Sequence, residues 1–339
     1  MESDMPQDTH ILLAHGGGGA KTQELIEDVF SSYFANPLLT ADDAAILPLH
    51  DQRLAFSTDG FIVQPWKFPG GNIGKLSICG TVNDLACMGA RPLWLTCAFV
   101  LEEGFPVAAL HEVAAAMKEA AEKACVAIVA GDTKVASKGQ VDQIFITTSG
   151  VGQVLPNATL SGKNAKARDA ILVSGDIGRH GASILLAREQ FGIEATIQSD
   201  CAPLWHLVSH LLDKTKPHVI RDATRGGVGT VLYEIAAQSH KGMLIREESL
   251  PIDPAVRGLT SMLGLDPLYL ACEGCLVIIA PEEEADTILD ILHALPHGDK
   301  AARIGTVLEE NQGAVLVETP LGAITRLPKP TGELLPRIC

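Results

Sequence analysis

Gly80-Thr81-Val82-Asn83-Asp84-Leu85-Ala86 decides the fold. It carries helical spacing that starts near Ile73 and runs to Met88. Its one carboxylate, Asp84, stands among Gly, Thr and Ala instead of beside a lysine or arginine. Outward from it, apolar β-prone runs recur at residues 44–47, 54–57, 93–100, 126–130 and 143–151, with a second helical stretch rich in Ala, Glu and Lys at 106–124. Strand and helix therefore mix through the first 155 residues. Residues 155–167 form a polar connection holding Pro156, Asn157, Ser161, Gly162 and Asn164, and mark a boundary. The second half reads as strands near 170–174, 242–246, 276–280, 303–308 and 314–317. Its helices fall near 182–190, 203–214, 228–239 and 282–294. The expectation is a mixed α/β chain of two domains, 1–155 and 156–327, followed by a flexible tail at 328–339.

Five more aspartates share the setting of Asp84. Asp42-Asp43 precede the run at 44–47, Asp59 follows that at 54–57, and Asp132 follows 126–130 in Gly131-Asp132-Thr133-Lys134. Asp222 opens Asp222-Ala223-Thr224-Arg225-Gly226-Gly227-Val228-Gly229. Each alone reads as a turn or cap residue. Together, hard oxygen ligands converging without His or Cys suit Mg²⁺ bound with substrate phosphates. Lys75 and Lys134 are the cations aimed at those phosphates, although Lys75 also reads as an exposed lysine in the first turns of a helix. The turn Ser174-Gly175-Asp176-Ile177-Gly178-Arg179-His180-Gly181 resembles a second phosphate-facing loop leading into a helix. His180 also reads as a helix-start residue without a catalytic role.

Other signatures fail. The glycine-rich stretch from His15 to Thr22 has Ala20 before Lys21, so the GxxxxGK[ST] spacing is absent. No acidic residue follows it where a dinucleotide fold needs one. What remains is an anion-friendly loop or a hinge. Cys272 and Cys275 form a single CxxC with no second pair and no nearby His, so no zinc site is expected. A net charge of −15 argues against nucleic acid and anionic membrane surfaces. With no signal peptide, no apolar run of about 18 residues and eight cysteines lacking a framework, a cytoplasmic chain with reduced thiols is expected.

The last residues read Leu327-Pro328-Lys329-Pro330-Thr331-Gly332-Glu333-Leu334-Leu335-Pro336-Arg337-Ile338-Cys339. Three prolines favour an extended arm, and twelve residues reach roughly 40 Å. Such a tip reads either as a frayed terminus or as a thiol that collects a group and delivers it elsewhere.

These motifs together resemble the PurM-like ATP-binding superfamily, and within it the carbamoyl dehydratase family of hydrogenase maturation factors. The resemblance rests on the stretches 15–19, 42–45, 57–60, 80–86, 131–134 and 222–227, on Glu273-Gly274 and on the terminal Pro336-Arg337-Ile338-Cys339. It implies a homodimer binding ATP and Mg²⁺ near its interface. Asp43, Asp59 and Asp84 would hold the metal, and Lys75, Asn83, Asp132, Thr133, Gly175 and Asp222 the nucleotide. It further implies that a HypF-like carbamoyltransferase loads Cys339. Glu273 as base and Lys134 beside the transferred group would then turn the thiocarbamate into a thiocyanate. A HypC–HypD-like iron complex would accept the cyanide for a [NiFe]-hydrogenase. Two positions depart from the pattern: Cys272 stands where Asn is expected, and Arg179 where Asp is expected. The competing readings are a small-molecule kinase or synthetase of the same superfamily, and a non-catalytic, nucleotide-gated carrier.

Overall fold

The computed structural model describes residues 20–25, 27, 42, 44–49, 52–188 and 195–329. The expectations for Asp43, the glycine-rich loop at 15–19 and Cys339 lie outside them. The helix α1 (Ala20–Leu25) comes first. The strands β1 (Ala45–Leu49), β2 (Gln52–Phe61), β5 (Ala90–Glu102), β6 (Ala127–Ala136) and β7 (Ile144–Val154) form a sheet of order β1-β2-β7-β5-β6, and β3 (Lys67–Phe68) pairs with β4 (Gly71–Asn72) apart from it. All pairs in the large sheet are antiparallel except β5 with β6. Burial alternates along β2, β5 and β7 as a half-covered sheet requires. The inner face packs Phe61, Leu95, Ile144 and Ile146 against α2 (Ile73–Cys87) and α3 (Val107–Lys123).

The second sheet takes β8 (Ala170–Val173), β9 (Val219–Asp222), β10 (Gly242–Arg246), β11 (Leu276–Ala280), β12 (Ala302–Leu308), β13 (Val315–Glu318) and β14 (Ile324–Arg326) in the order β14-β13-β10-β12-β8-β11-β9. β8, β9 and β11 are buried at every residue; β8 and β11 therefore read as unbroken apolar runs, whereas β9 ends in the buried Arg221 and Asp222. One face of this sheet meets Val228, Leu232 and Ile235 of α6 (Gly227–Ser239). The other meets Leu207 and Leu211 of α5 (Trp205–Lys214) and Ile288 and Leu292 of α8 (Ala285–His293). Each such side chain contributes roughly 1.5–3 kcal/mol by leaving water. α4 (Arg179–Ala187) and α7 (Pro254–Leu263) pack together beside them.

α2 sits between the two halves, touching β2, β5 and β7 on one side and β9 and α5 on the other. It is therefore apolar almost all round, and only Lys75 and Asp84 keep partial exposure. Among the described residues no helix is long and apolar enough to cross a membrane.

Candidate functional site

Two stripes on α2 build the site. Gly80 and Asp84, four residues apart, share the face toward β2. There Ser57 Oγ donates to Asp84, and a side chain at Gly80 would lie 3.6 Å from Asp59 Oδ2. Burial raises the Asp59 carboxyl above its ordinary range, against the pull of Arg225 at 3.6 Å and of the Gly60 N–H. Lys75, Cys79 and Asn83 form the second stripe, toward residues 199–204 and 273. Asn83 is buried and fully engaged: its Nδ2 donates to Ala202 O and Glu273 O, and its Oδ1 accepts from Leu204 N–H at 2.8 Å. Its side-chain contacts are therefore with backbone, and it ties α2 to the Glu273 turn.

Glu273 is 2% exposed. Burial, then the carboxylates of Asp222, Asp200 and Asp59 and the Cys79 thiol, push its pKa well above the ordinary 4.5. Asp200, which the sequence did not single out, shapes this turn. Its two oxygens accept the Glu273 and Gly274 N–H groups at 3.1 and 3.0 Å, and burial raises its own pKa to about 6. The approach is so close that a side chain at Gly274 would lie 2.0 Å from Asp200 O, so the Glu273-Gly274 pair needs its glycine. Asp222, buried at the end of β9, stands in register with Leu276 just beyond the turn. The structure thus gathers Asp59, Asp84, Asp222 and Glu273, from β2, α2, β9 and the turn before β11.

Other expected residues lie elsewhere. Lys75 is nine residues from Asp84, about 13 Å along the axis and half a turn round it, and its ammonium donates to Gly70 O at 2.9 Å. Within the chain it does not join the aspartates. The turn at Gly175, expected to face phosphate, has several of its donors already engaged. Gly175 is buried, and the N–H groups of Ile177, Gly178 and Gly181 already donate to Pro251 O, Cys272 Sγ and Ala271 O. The two departures from the family pattern find partners here: Cys272 Sγ accepts Gly178 N–H at 3.1 Å, and Arg179 pairs with Asp176 and Asp253. His180 is wholly buried with Nδ1 2.7 Å from Ser199 Oγ, and burial lowers its pKa to about 3, so it stays neutral.

Asp132, Thr133 and Lys134 correct the expectation of a strand ending at 130, for they lie inside β6. Alternation puts Asp132 and Lys134 on the outer face, where they pair with each other at 2.6 Å with side chains 62% and 70% exposed. The fold of the chain does not bring Lys134 to Glu273. The same outer face carries Phe56, Val151 and Trp94 in one cross-strand row, with Phe56 and Trp94 about half exposed.

The first-half sheet and its helices match the family model for the AIR synthase related protein, N-terminal domain, over residues 41–154, and the second half matches its C-terminal domain over 166–318. The chain is 46% identical to the carbamoyl dehydratase HypE of Rhodobacter capsulatus over 98% of this chain and 99% of that protein. The chain belongs to the HypE carbamoyl dehydratase family. Its fold agrees with that of a HypE–HypF complex crystal structure at a TM-score of 0.85 and 44% identity, covering 90% of this chain and 99% of that one. HypE crystallised in complex with ATP matches at a TM-score of 0.82 and 45% identity, covering 97% of this chain and all of that one. This places the chain in the PurM-like fold class expected from its motifs.

Proposed function

We propose that this chain dehydrates a carbamoyl group carried on Cys339 to a thiocyanate, consuming ATP, and so supplies cyanide ligands for the iron centre of a [NiFe]-hydrogenase. The observation that carries this is the buried Glu273, its pKa raised, set among Asp222, Asp200 and Asp59 in a member of the HypE family. An amide oxygen is a poor leaving group. Transfer of the ATP γ-phosphoryl to that oxygen, with loss of the first N–H proton, gives an iminophosphate whose oxygen can leave as phosphate. The C–O bond then breaks as Glu273 removes the remaining N–H proton, and the nitrogen electrons complete the C≡N bond. The products are S-cyanocysteine, ADP, phosphate and a proton.

Asp59 and Asp84 fit Mg²⁺. Among the described residues no three His, Cys, Asp or Glu side chains cluster closely enough to hold a metal alone. Mg²⁺ suits that shortage, since it takes one or two carboxylates and completes its octahedron with phosphates and water. Asp43 is proposed as a further ligand. Bound there, Mg²⁺ neutralises charge on the triphosphate. Asp222 lies beside the nucleotide, and Arg225, reaching Asp59 from the second half, supplies a cation there. Asp84→Asn is expected to weaken MgATP binding at least tenfold without lowering the melting temperature. Unchanged affinity by calorimetric titration in Asp59→Asn and Asp84→Asn alike would remove the metal from this place.

The domains are taken as 1–155, 156–327 and a tail at 328–339, with the first pairing in a homodimer. The exposed apolar row Phe56–Val151–Trp94 supports that pairing. In it, Asp132, Thr133 and Lys134 on β6 enter the site at the interface. Equilibrium sedimentation as a monomer would contradict it. A HypF-like carbamoyltransferase is the donor and a HypC–HypD-like iron complex the acceptor, in a cytoplasmic setting supported by the free cysteines among the described residues. The functional test is coupling. ATP consumption should require the carbamoylated chain and equal the water lost, one for one. Transfer of phosphate to a soluble acceptor, with no loss of water, would contradict it.

A further inference from the structure

Two tyrosines hold the chain at Leu327 and Pro328. Tyr233 of α6, 5% exposed, donates its hydroxyl to Leu327 O, and Tyr269 donates to Pro328 O. Leu327 is itself 3% exposed in the second-half core, and its N–H donates to Val315 O at 2.9 Å. Two consecutive carbonyls are thus gripped from one side while the first residue is pinned from the other. Cys339 is the eleventh residue beyond Pro328.

The second clamp residue is rigidly joined to the base. Tyr269 closes the one-turn helix Pro267–Tyr269, whose start is capped by Asp266 accepting Leu268 N–H at 3.0 Å. Three residues on, Cys272 N–H donates to Ala223 O at 2.9 Å, and Glu273 follows under the grip of Asp200. The glycines of the 222–229 motif explain the fit. A side chain at Gly229 would lie 2.7 Å from the Tyr269 ring, and one at Gly227 would lie 2.5 Å from Leu270 O. These glycines thus seat the Tyr269 turn against α6. Burial, then Tyr233 and Asp266, raise the Tyr269 pKa above the ordinary 10.0, so the hydroxyl remains a donor.

The geometry points to Tyr233 and Tyr269 as positioning residues for the dehydration: their hydroxyls fix the root from which Cys339 is delivered to Glu273. This rests on the proposed function. A tether of eleven residues reaches roughly 36–40 Å, ample for an excursion to a partner protein. Return to one productive geometry needs a fixed anchor, because the effective concentration at the end of a tether depends on its span and length. Misplacement of a reacting group by about 1 Å is enough to slow a step by up to ~10².

The test uses the full chain with Tyr233→Phe and Tyr269→Phe together, which keep both rings and remove only the hydroxyls. Carbamoyl loading and MgATP affinity are expected to match wild type, while single-turnover dehydration falls roughly tenfold. Trypsin cleavage after Arg326, next to the clamped Leu327, is expected to quicken by a similar factor. A Gly-Ser insertion after Lys329 should slow the wild type several-fold yet add little to the doubly substituted chain. Wild-type dehydration in that chain overturns the proposal, as does an equal loss of loading, nucleotide binding and thermal stability. Absence of dehydration in the wild type would sink the proposed function instead, and the trypsin comparison would still report whether the hydroxyls hold the root.

Discussion

Cys339→Ala is expected to abolish both the carbamoyl and the cyano adduct while leaving MgATP binding intact. The reason lies in the other seven cysteines. Cys79, Cys87, Cys97, Cys201, Cys272 and Cys275 are all buried. The thiols of Cys201 and Cys272 are pushed far above their ordinary range by the neighbouring thiols of Cys79 and Cys275 and by burial. Thiolate, not thiol, is the nucleophile, so these groups neither accept the carbamoyl group nor attack a finished thiocyanate. Cys125 alone among the described cysteines is exposed. It follows α3, away from Glu273, and Cys125→Ala should load and dehydrate as wild type does. Intact mass after incubation with the transferase, carbamoyl phosphate and ATP reads all three chains. Full adduct on Cys339→Ala would move the reaction to another thiol.

Glu273→Gln is expected to bind MgATP and accept the carbamoyl group normally, yet to dehydrate about 10²–10⁴-fold more slowly. Neither earlier step removes a proton from the amide nitrogen. The glutamine fills the same buried space, so the comparison isolates the base. In the wild type, burial and three nearby carboxylates keep the proton on Glu273 beyond the ordinary 4.5. Single-turnover dehydration should therefore rise with pH as Glu273 ionises, and the glutamine chain should lose that dependence. Stability carries the opposite sign. The folded chain holds this proton at pH values where the unfolded chain has released it, so this group's contribution falls as pH rises from about 4.5 to the folded pKa, then levels off. Without nucleotide, Glu273→Gln should melt higher than wild type at pH 8. A wild-type dehydration rate in single turnover would make Glu273 a structural residue.

Much of the site was legible because its residues sit in local settings that ordinary surface carboxylates avoid. Asp59 and Asp84 stand beside Gly, Thr and Ser, and the fold brings Asp84 to Ser57 and Asp59 to Gly80. Other features depend on meetings that no local pattern records. Asp200 matters only because a stretch 73 residues from Glu273 folds back on it. The tyrosine clamp joins residues 94 and 59 apart. β6 runs on through Gly131-Asp132 to Ala136 because parallel pairing with β5 overrides a turn-like sequence. β9 is four residues long, too short to show periodicity. α7 carries a local signal, Asp253 accepting Ala255 N–H with Pro254 in the first turn, within a stretch the apolar periodicity leaves unassigned.

Peptide mapping of the chain after one turnover with transferase, carbamoyl phosphate and ATP tests the central claim most directly. The account requires the peptide containing Cys339 to gain CONH and then to lose one water only when ATP is present. An adduct on any other cysteine, such as Cys272 or Cys275, or loss of water without ATP, would contradict it.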